Sequence, residues 1–248
     1  MAVGALNGKA ALVTGGSRGI GAAIARRLAA DGADVAVTYL SRPDAAEAVV
    51  AEIRALGRRA ATIRADAGDP SAVTAAVDGA AERLGRLDIL VNNAGVFALG
   101  SVADMPLAEF DRTLAVNVRA VFAAAQAAAR RMGEGGRIVT VGSVNAGRVP
   151  FEGMSAYAMS KAAVMGLTRG MARDLAARGI TVNVVQPGPI DTDMNPADTE
   201  FADAMRALLA IKRYGHPEEI AGAVAYLASP EAAYVTGIAL SVDGGFLT

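Results

Sequence analysis

The sequence predicts an α/β protein: a single doubly wound parallel sheet, seven strands with helices on both faces. Three observations predict it. Short β-branched runs alternate with longer Ala/Leu/Arg-rich segments, the pattern of repeated β-α units. Several of the short runs lack polar/apolar alternation, as strands covered on both faces do. Asp69-Pro70 and the glycines Gly32, Gly57, Gly85 and Gly179 punctuate the joins. No internal repeat, low-complexity linker or second composition regime divides the 248 residues, so 1–248 is expected to form one domain.

The elements follow in order. A first strand over Ala10–Thr14 runs through a glycine-rich turn into a helix over Gly19–Asp31, closed by Gly32. Strand Asp34–Tyr39 leads to helix Asp44–Leu56, which stops at Gly57. Strand Arg59–Arg64 precedes helix Pro70–Leu84, started by Asp69-Pro70 and ended by Gly85. Strand Ile89–Asn92 is followed by one long helix, Leu107–Met132. Strand Gly136–Val141 leads to a second long helix, Ser155–Ala177, before Gly179. Strands Thr181–Gln186 and Ala239–Val242 flank the helix Pro217–Ala228. One departure is the segment 188–212. It opens on glycine and proline and runs into a mixed helical stretch, Phe201–Ile211. An insertion after the C-terminal end of a strand lies where such folds bind ligands, so a lid is expected there.

Composition narrows the chemistry. Hydrophobic residues make up 53% and charged residues 20%, with a formal net charge of -1, so neither a nucleic-acid nor an acidic-lipid surface is expected. There is no cysteine, which removes disulfides, thiol nucleophiles and thiolate-bound metals together. The single histidine, His216, sits before Pro217-Glu218-Glu219. That reads as a helix start, with a surface or capping role rather than a catalytic one. No metal site is expected. The N-terminal Met-Ala-Val-Gly-Ala-Leu has no charged leader pattern, and no apolar run of roughly 18 residues occurs, so a soluble, cytoplasmic protein is expected.

The glycine-rich turn is Thr14-Gly15-Gly16-Ser17-Arg18-Gly19-Ile20-Gly21. Glycines between a strand and a helix let backbone N–H groups and the helix N-terminus approach a pyrophosphate. Gly15, Ser17, Arg18, Gly19, Ile20 and Gly21 are therefore candidate nucleotide-binding residues. An acid at the end of the second strand would hold ribose hydroxyls and repel a 2′-phosphate. This chain has Thr38-Tyr39-Leu40-Ser41-Arg42 instead. Tyr39, Ser41, Arg42 and Arg18 are read as the adenosine end, and two guanidiniums beside a serine favour NADP(H) over NAD(H).

Tyr157 and Lys161 share a helix face at i, i+4, with Ser143 upstream. A phenol of pKa about 10 is a poor acid–base group at neutral pH. A neighbouring ammonium is expected to lower that value and tune Tyr157 as a proton donor.

Taken together, these motifs resemble the short-chain dehydrogenase/reductase family. The marks are Thr14-Gly15-x-x-x-Gly19-x-Gly21, Asp66, Asn92-Asn93-Ala94-Gly95, Asn117, Ser143, Tyr157-x-x-x-Lys161 and Pro187-Gly188-x-Ile190-x-Thr192. The resemblance implies hydride transfer between a nicotinamide and a carbonyl or alcohol. Tyr157 would give the proton, Ser143 would bind the carbonyl oxygen, Lys161 would bind the nicotinamide ribose, and Asn117 would hold a water near Lys161. It further implies Asp66 on the adenine, Asn93, Ala94 and Gly95 supporting the cofactor, and Pro187, Gly188, Ile190 and Thr192 along the nicotinamide. Ser143, Asn145, Met154 and Met194 would shape the substrate pocket, with Phe201 a further apolar wall. A small carbonyl or alcohol substrate and a homotetramer built through the long helices and the C-terminal strand are expected. Two narrower readings stand beside the carbonyl reductase. One is a 3-oxoacyl-carrier-protein reductase, which needs basic residues at the site mouth, with Arg130, Arg131, Arg169 and Arg173 as candidates. The other is a regulatory protein binding a cyclic dinucleotide, like a biofilm-dispersal subgroup of the family.

Overall fold

The computed structural model describes residues 4–248, so Met1–Val3 of the N-terminal stretch lie outside the described residues. The strands are β1 (Ala10–Val13), β2 (Asp34–Tyr39), β3 (Ala60–Arg64), β4 (Ile89–Asn92), β5 (Arg137–Val141), β6 (Thr181–Pro187) and β7 (Ala239–Val242). The helices are α1 (Gly19–Ala30), α2 (Pro43–Ala55), α3 (Pro70–Leu84), α4 (Leu107–Leu114), α5 (Ala120–Arg131), α6 (Ser155–Leu175), α7 (Glu200–Ala207) and α8 (Pro217–Ala228). All seven strands pair in parallel in the order β3-β2-β1-β4-β5-β6-β7. Strand order reverses between β1 and β4, which opens a crevice at their C-terminal ends, where open α/β sheets bind ligands.

Successive strand residues face opposite cores, and both cores are apolar. From β1, Ala11 and Val13 pack with Ile24 and Leu28 of α1, Val50 and Ile53 of α2, and Ile220 and Val224 of α8. Ala10 and Leu12 face the other way, onto Val73 and Val77 of α3, Ala124 and Ala128 of α5, and Met171 of α6. Alternation is missing from β1, β4 and most of β5 and β6 because neither face of these strands meets water. Each buried Val, Leu or Ile contributes roughly 1.5–3 kcal/mol of transfer free energy, so both layers hold the sheet.

Three helices differ from the sequence reading by more than one residue. The expected helix Leu107–Met132 is interrupted: α4 passes into a π-helical turn, Ala115–Arg119, before α5 continues. The expected Phe201–Ile211 helix is α7, Glu200–Ala207. Thr199 Oγ1 accepts the Ala202 N–H at 3.1 Å and starts it early. Beyond Ala207 the chain turns so that the Ile211 N–H bonds Gly244 O at 2.8 Å. Helix α6 ends at Leu175, and a 3-10 turn, Ala176–Arg178, completes the descent to Gly179.

The segment 188–212 has its own small core. Ala202, Met205, Leu209 and Tyr214 are buried with Val144 and Phe246. Its root is fixed at Gly188, whose N–H bonds Val242 O at 3.0 Å and where a Cβ would come within 2.7 Å of Asp243 Cα. No helix among the described residues is long and apolar enough to cross a membrane.

Candidate active site

The glycine turn leaves β1 and enters α1 with Gly15 at φ +64° and Gly19 at φ +52°, conformations that favour glycine. At Gly21 a Cβ would stand 2.3 Å from Gly15 O and 2.4 Å from Asn93 Nδ2, so the turn has no room for a side chain there. Two threonines brace it from below. Thr38 Oγ1 accepts the Gly15 N–H at 2.9 Å, and Thr14 Oγ1 accepts the N–H groups of Asn93 and Ala94 at 2.9 and 3.1 Å. The Asn93 amide donates to Thr14 O and Gly15 O at 2.9 and 3.1 Å. Asn93 thus shapes the turn from behind. The sequence reading missed both threonine roles. Their signal is a hydroxyl at the C-terminal end of a strand beside a glycine turn.

At the adenosine end, Arg18 and Arg42 converge. Arg18 Nη1 lies 3.4 Å and Arg42 Nη1 3.6 Å from the same oxygen, Oδ2 of Asp193. Tyr39, Ser41 and Asp66 line the cavity beside them, and Asp66 Oδ1 accepts the Gly68 N–H at 2.7 Å. Asp193 was not anticipated, because nothing local to it in sequence points to a partner 175 residues away.

The catalytic candidates meet at the C-terminal ends of β4, β5 and β6. The π-helical turn aims Asn117 inward. Its carboxamide accepts the Val96 N–H at 2.9 Å and donates to Val96 O and Ser160 Oγ, both at 3.0 Å. Lys161 is buried and gives its ammonium to Val141 O at 3.1 Å. Gly95 faces both groups: a Cβ there would be 3.3 Å from Asn117 Oδ1 and 3.7 Å from Lys161 Nζ. Ser143 Oγ accepts the Asn145 N–H at 3.1 Å, and the Ser143 hydroxyl hydrogen-bonds the Tyr157 phenol. The Lys161 ammonium stands 5.7 Å from the centre of the Tyr157 ring.

The electrostatics correct one expectation. Burial pushes the Tyr157 phenol above its ordinary value, and the Ser143 hydrogen bond pulls it partly back. Lys161, with its ammonium 5.7 Å from the ring centre, does not offset that burial. Its own pKa is lowered to about 8, because its charge is taken out of water without a carboxylate partner.

Ser143, Tyr157 and Lys161 line one cavity of about 580 Å³, running from Arg42 past the glycine turn and Asn92–Gly95 to Met205, with Asn117 set behind its wall. Such a volume suits a bound small molecule. Pro187, Gly188, Ile190 and Thr192 form its far wall. Thr192 also closes a small turn, accepting the Asn195 N–H at 2.9 Å. A glycine cradle with no room for a Cβ at Gly21, together with two guanidiniums meeting on one anion, fits a dinucleotide that carries an extra phosphate. The opposite end is apolar. Asn145, Met154 and Met194 are joined there by Phe97, Phe151, Phe201 and Met205. Phe97 packs edge-on against Tyr157 with ring centres 4.8 Å apart, and Phe151 lies 5.2 Å from Phe201.

Other candidates lie elsewhere. His216 is exposed at the N-cap of α8, where Glu219 accepts its backbone N–H at 2.8 Å. Among the described residues no cluster of three or more His, Cys, Asp or Glu side chains could hold a metal ion. Arg130 and Arg131 end α5 and Arg169 and Arg173 lie late in α6, both helices descending toward the N-terminal edge of the sheet. They do not line the cavity, and Arg131 is paired with Asp78 at 2.8 Å.

Comparison with known proteins places this geometry among relatives. A family profile described as enoyl-(acyl-carrier-protein) reductase matches residues 15–247. The crystal structure of a short-chain dehydrogenase from Burkholderia cenocepacia in complex with NADP superposes with a TM-score of 0.97 at 61% identity, over 98% of this chain and 99% of that one. The cyclic-di-GMP-binding biofilm dispersal mediator protein of Escherichia coli is 49% identical over 98% of this chain and 99% of its own. A 3-oxoacyl-carrier-protein reductase of Synechocystis is 40% identical over 98% of both.

Proposed function

The chain belongs to the short-chain dehydrogenase/reductase family of NAD(P)-dependent oxidoreductases, and from that premise we propose that it reduces a ketone or aldehyde with NADPH, reversibly. The observation that carries the reading is the Tyr157 phenol. It is hydrogen-bonded to Ser143, backed by Lys161, and stands between a glycine cradle and an apolar pocket. The similarity to an NADP-bound enzyme and the convergence of Arg18 and Arg42 support NADPH over NADH.

NADPH, when bound, would supply hydride to the carbonyl carbon. It would be held by the glycine turn, by Arg18 and Arg42 at the 2′-phosphate, by Lys161 at the ribose, and by Ile190 and Thr192 beside the nicotinamide. Tyr157 gives its proton to the developing alkoxide. A phenol held above its ordinary pKa is protonated at neutral pH, and it yields its proton because an alkoxide is a stronger base than a phenolate. Ser143 steadies the same oxygen with a hydrogen bond. Phe97, Phe151 and Phe201 keep water away, and the segment 188–212 acts as the lid.

The test follows loss of reduced-cofactor absorbance with a panel of ketones. Turnover is expected, with NADPH preferred to NADH. Tyr157→Phe should lower it by a factor of at least about 100 while NADPH affinity stays within about twofold. Undiminished turnover in the Phe variant would remove Tyr157 from the mechanism. Two alternatives keep support from relatives. Reduction of 3-oxoacyl-carrier-protein would point to the reading suggested by the Synechocystis enzyme. Tight binding of a cyclic dinucleotide without carbonyl turnover would point to the regulatory role named for the Escherichia coli protein. The reading extends to a cytoplasmic homotetramer. An exposed Phe122 beside a groove lined by Leu114, Val118 and Leu167, and the open edge of β7, support the assembly.

A further inference from the structure

We propose that Asp193 is a cofactor-discriminating latch. Its carboxylate occupies the place of the 2′-phosphate, ties the lid to the glycine turn, and is released by NADP(H) but not by NAD(H). The proposal rests on the reading of Arg18 and Arg42 as the phosphate end of the site.

The two arginines come from different elements. Arg18 precedes α1 and Arg42 precedes α2, yet both reach the same oxygen of Asp193, at 3.4 and 3.6 Å. Among the described residues neither has another carboxylate within ion-pair distance. The carboxylate therefore sits where two guanidiniums are arranged to meet an anion, and it comes from the lid rather than from the end of β2, the usual place for an acid. The side chains of Arg18, Arg42 and Asp193 are 43%, 59% and 63% exposed, so each pair is weak. A phosphate brings up to two charges and three acceptor oxygens against one carboxylate, and it wins the guanidiniums. Asp193 is then left beside a like charge and must withdraw.

Withdrawal moves a defined stretch. The stem is held: the Gly188 N–H bonds Val242 O, and the Asp191 N–H bonds Gly215 O at 2.9 Å. Past that point Thr192 rests on Gly19, with its Cγ2 3.4 Å from where a Cβ would be. Residues 192–199 are thus tied to the glycine turn chiefly through Thr192 and the Asp193 latch. NADH carries no 2′-phosphate and leaves the latch closed. The latch therefore taxes NADPH binding, since that cofactor must first open it, and does not tax NADH.

Equilibrium titration of the full chain with NADPH and NADH tests the competition. Asp193→Asn should tighten NADPH by about three- to tenfold, the effect of losing one or two exposed pairs, and leave NADH within about twofold. Hydrogen exchange tests the movement, with 2′,5′-ADP and 5′-AMP as probes that reach only the adenosine end. In the wild-type protein 2′,5′-ADP should speed exchange across 192–199, whereas 5′-AMP should not. An unchanged ratio of NADPH to NADH affinity in Asp193→Asn, or exchange blind to the 2′-phosphate, overturns the latch while leaving the arginine reading intact. Equal wild-type affinity for 2′,5′-ADP and 5′-AMP removes the arginine reading, and the latch falls with it.

Discussion

Lys161 holds its ammonium in a pocket formed by Val141, Asn117 and Gly95, with a single backbone carbonyl as acceptor. Burial lowers its pKa from the ordinary 10.5 to about 8. For a cationic group that shift counts against folding. The unfolded chain binds the proton more tightly, so the cost is fully present below about pH 8 and fades as pH rises toward 10.5. Lys161→Met should therefore abolish turnover yet stabilise the fold at pH 7 by about 1–3 kcal/mol, the gain shrinking at high pH. Urea unfolding at pH 7 and pH 10 checks it, and a Met variant less stable at pH 7 would contradict the account. The pairing of Tyr157 with Lys161 was legible from their spacing. The direction of the phenol's shift was not, because it depends on what the fold packs against the ring, such as the edge-on Phe97. Asp193 was illegible for the same reason: its partners are distant in sequence and only the sheet topology brings them together.

The π-helical turn is the element on which the site depends. A π-turn holds one more residue than an α-turn, and such bulges recur at functional sites. Here it carries Asn117 to the backbone of Val96, in the loop after β4, and to Ser160, next to Lys161. Asn117→Ala would leave the Val96 N–H and C=O without those partners. It should cost about 1–3 kcal/mol of stability and loosen the loop that follows Gly95, lowering turnover. Denaturant unfolding and the NADPH assay check the two effects separately; full activity at full stability would exclude the role. The helix Leu107–Met132 reads as continuous because Leu, Ala and Arg keep its periodicity, with no Gly or Pro to mark a break before Gly133. The shorter α7 was misread in the opposite way. Its apolar run, Leu208 and Leu209, continues past the helix end because those residues serve the small core of the segment 188–212.

Across the whole molecule, one parallel sheet carries the loops after β1, β2, β4, β5 and β6 to the same cavity. That much was legible, since strands buried on both faces read as unbroken apolar runs. The outer surface was less so. Exposed Phe122 and the unpaired edge of β7 become visible only once the sheet order is known. Light scattering should give a particle of about four times the 25.1 kDa chain mass, and Phe122→Glu should reduce it. A wild-type monomer would rule the assembly out. The edge-on contact between Phe97 and Tyr157 has an optical consequence. The chain contains no tryptophan and only five tyrosines, so its near-ultraviolet spectrum is almost entirely phenolic. Ionisation of Tyr157 and Tyr214, both held back by burial, would form a late phase in an absorbance titration, and the part lost in Tyr157→Phe belongs to Tyr157. The group proposed to move the reaction's proton is also a chromophore, and the protein carries its own reporter without a label.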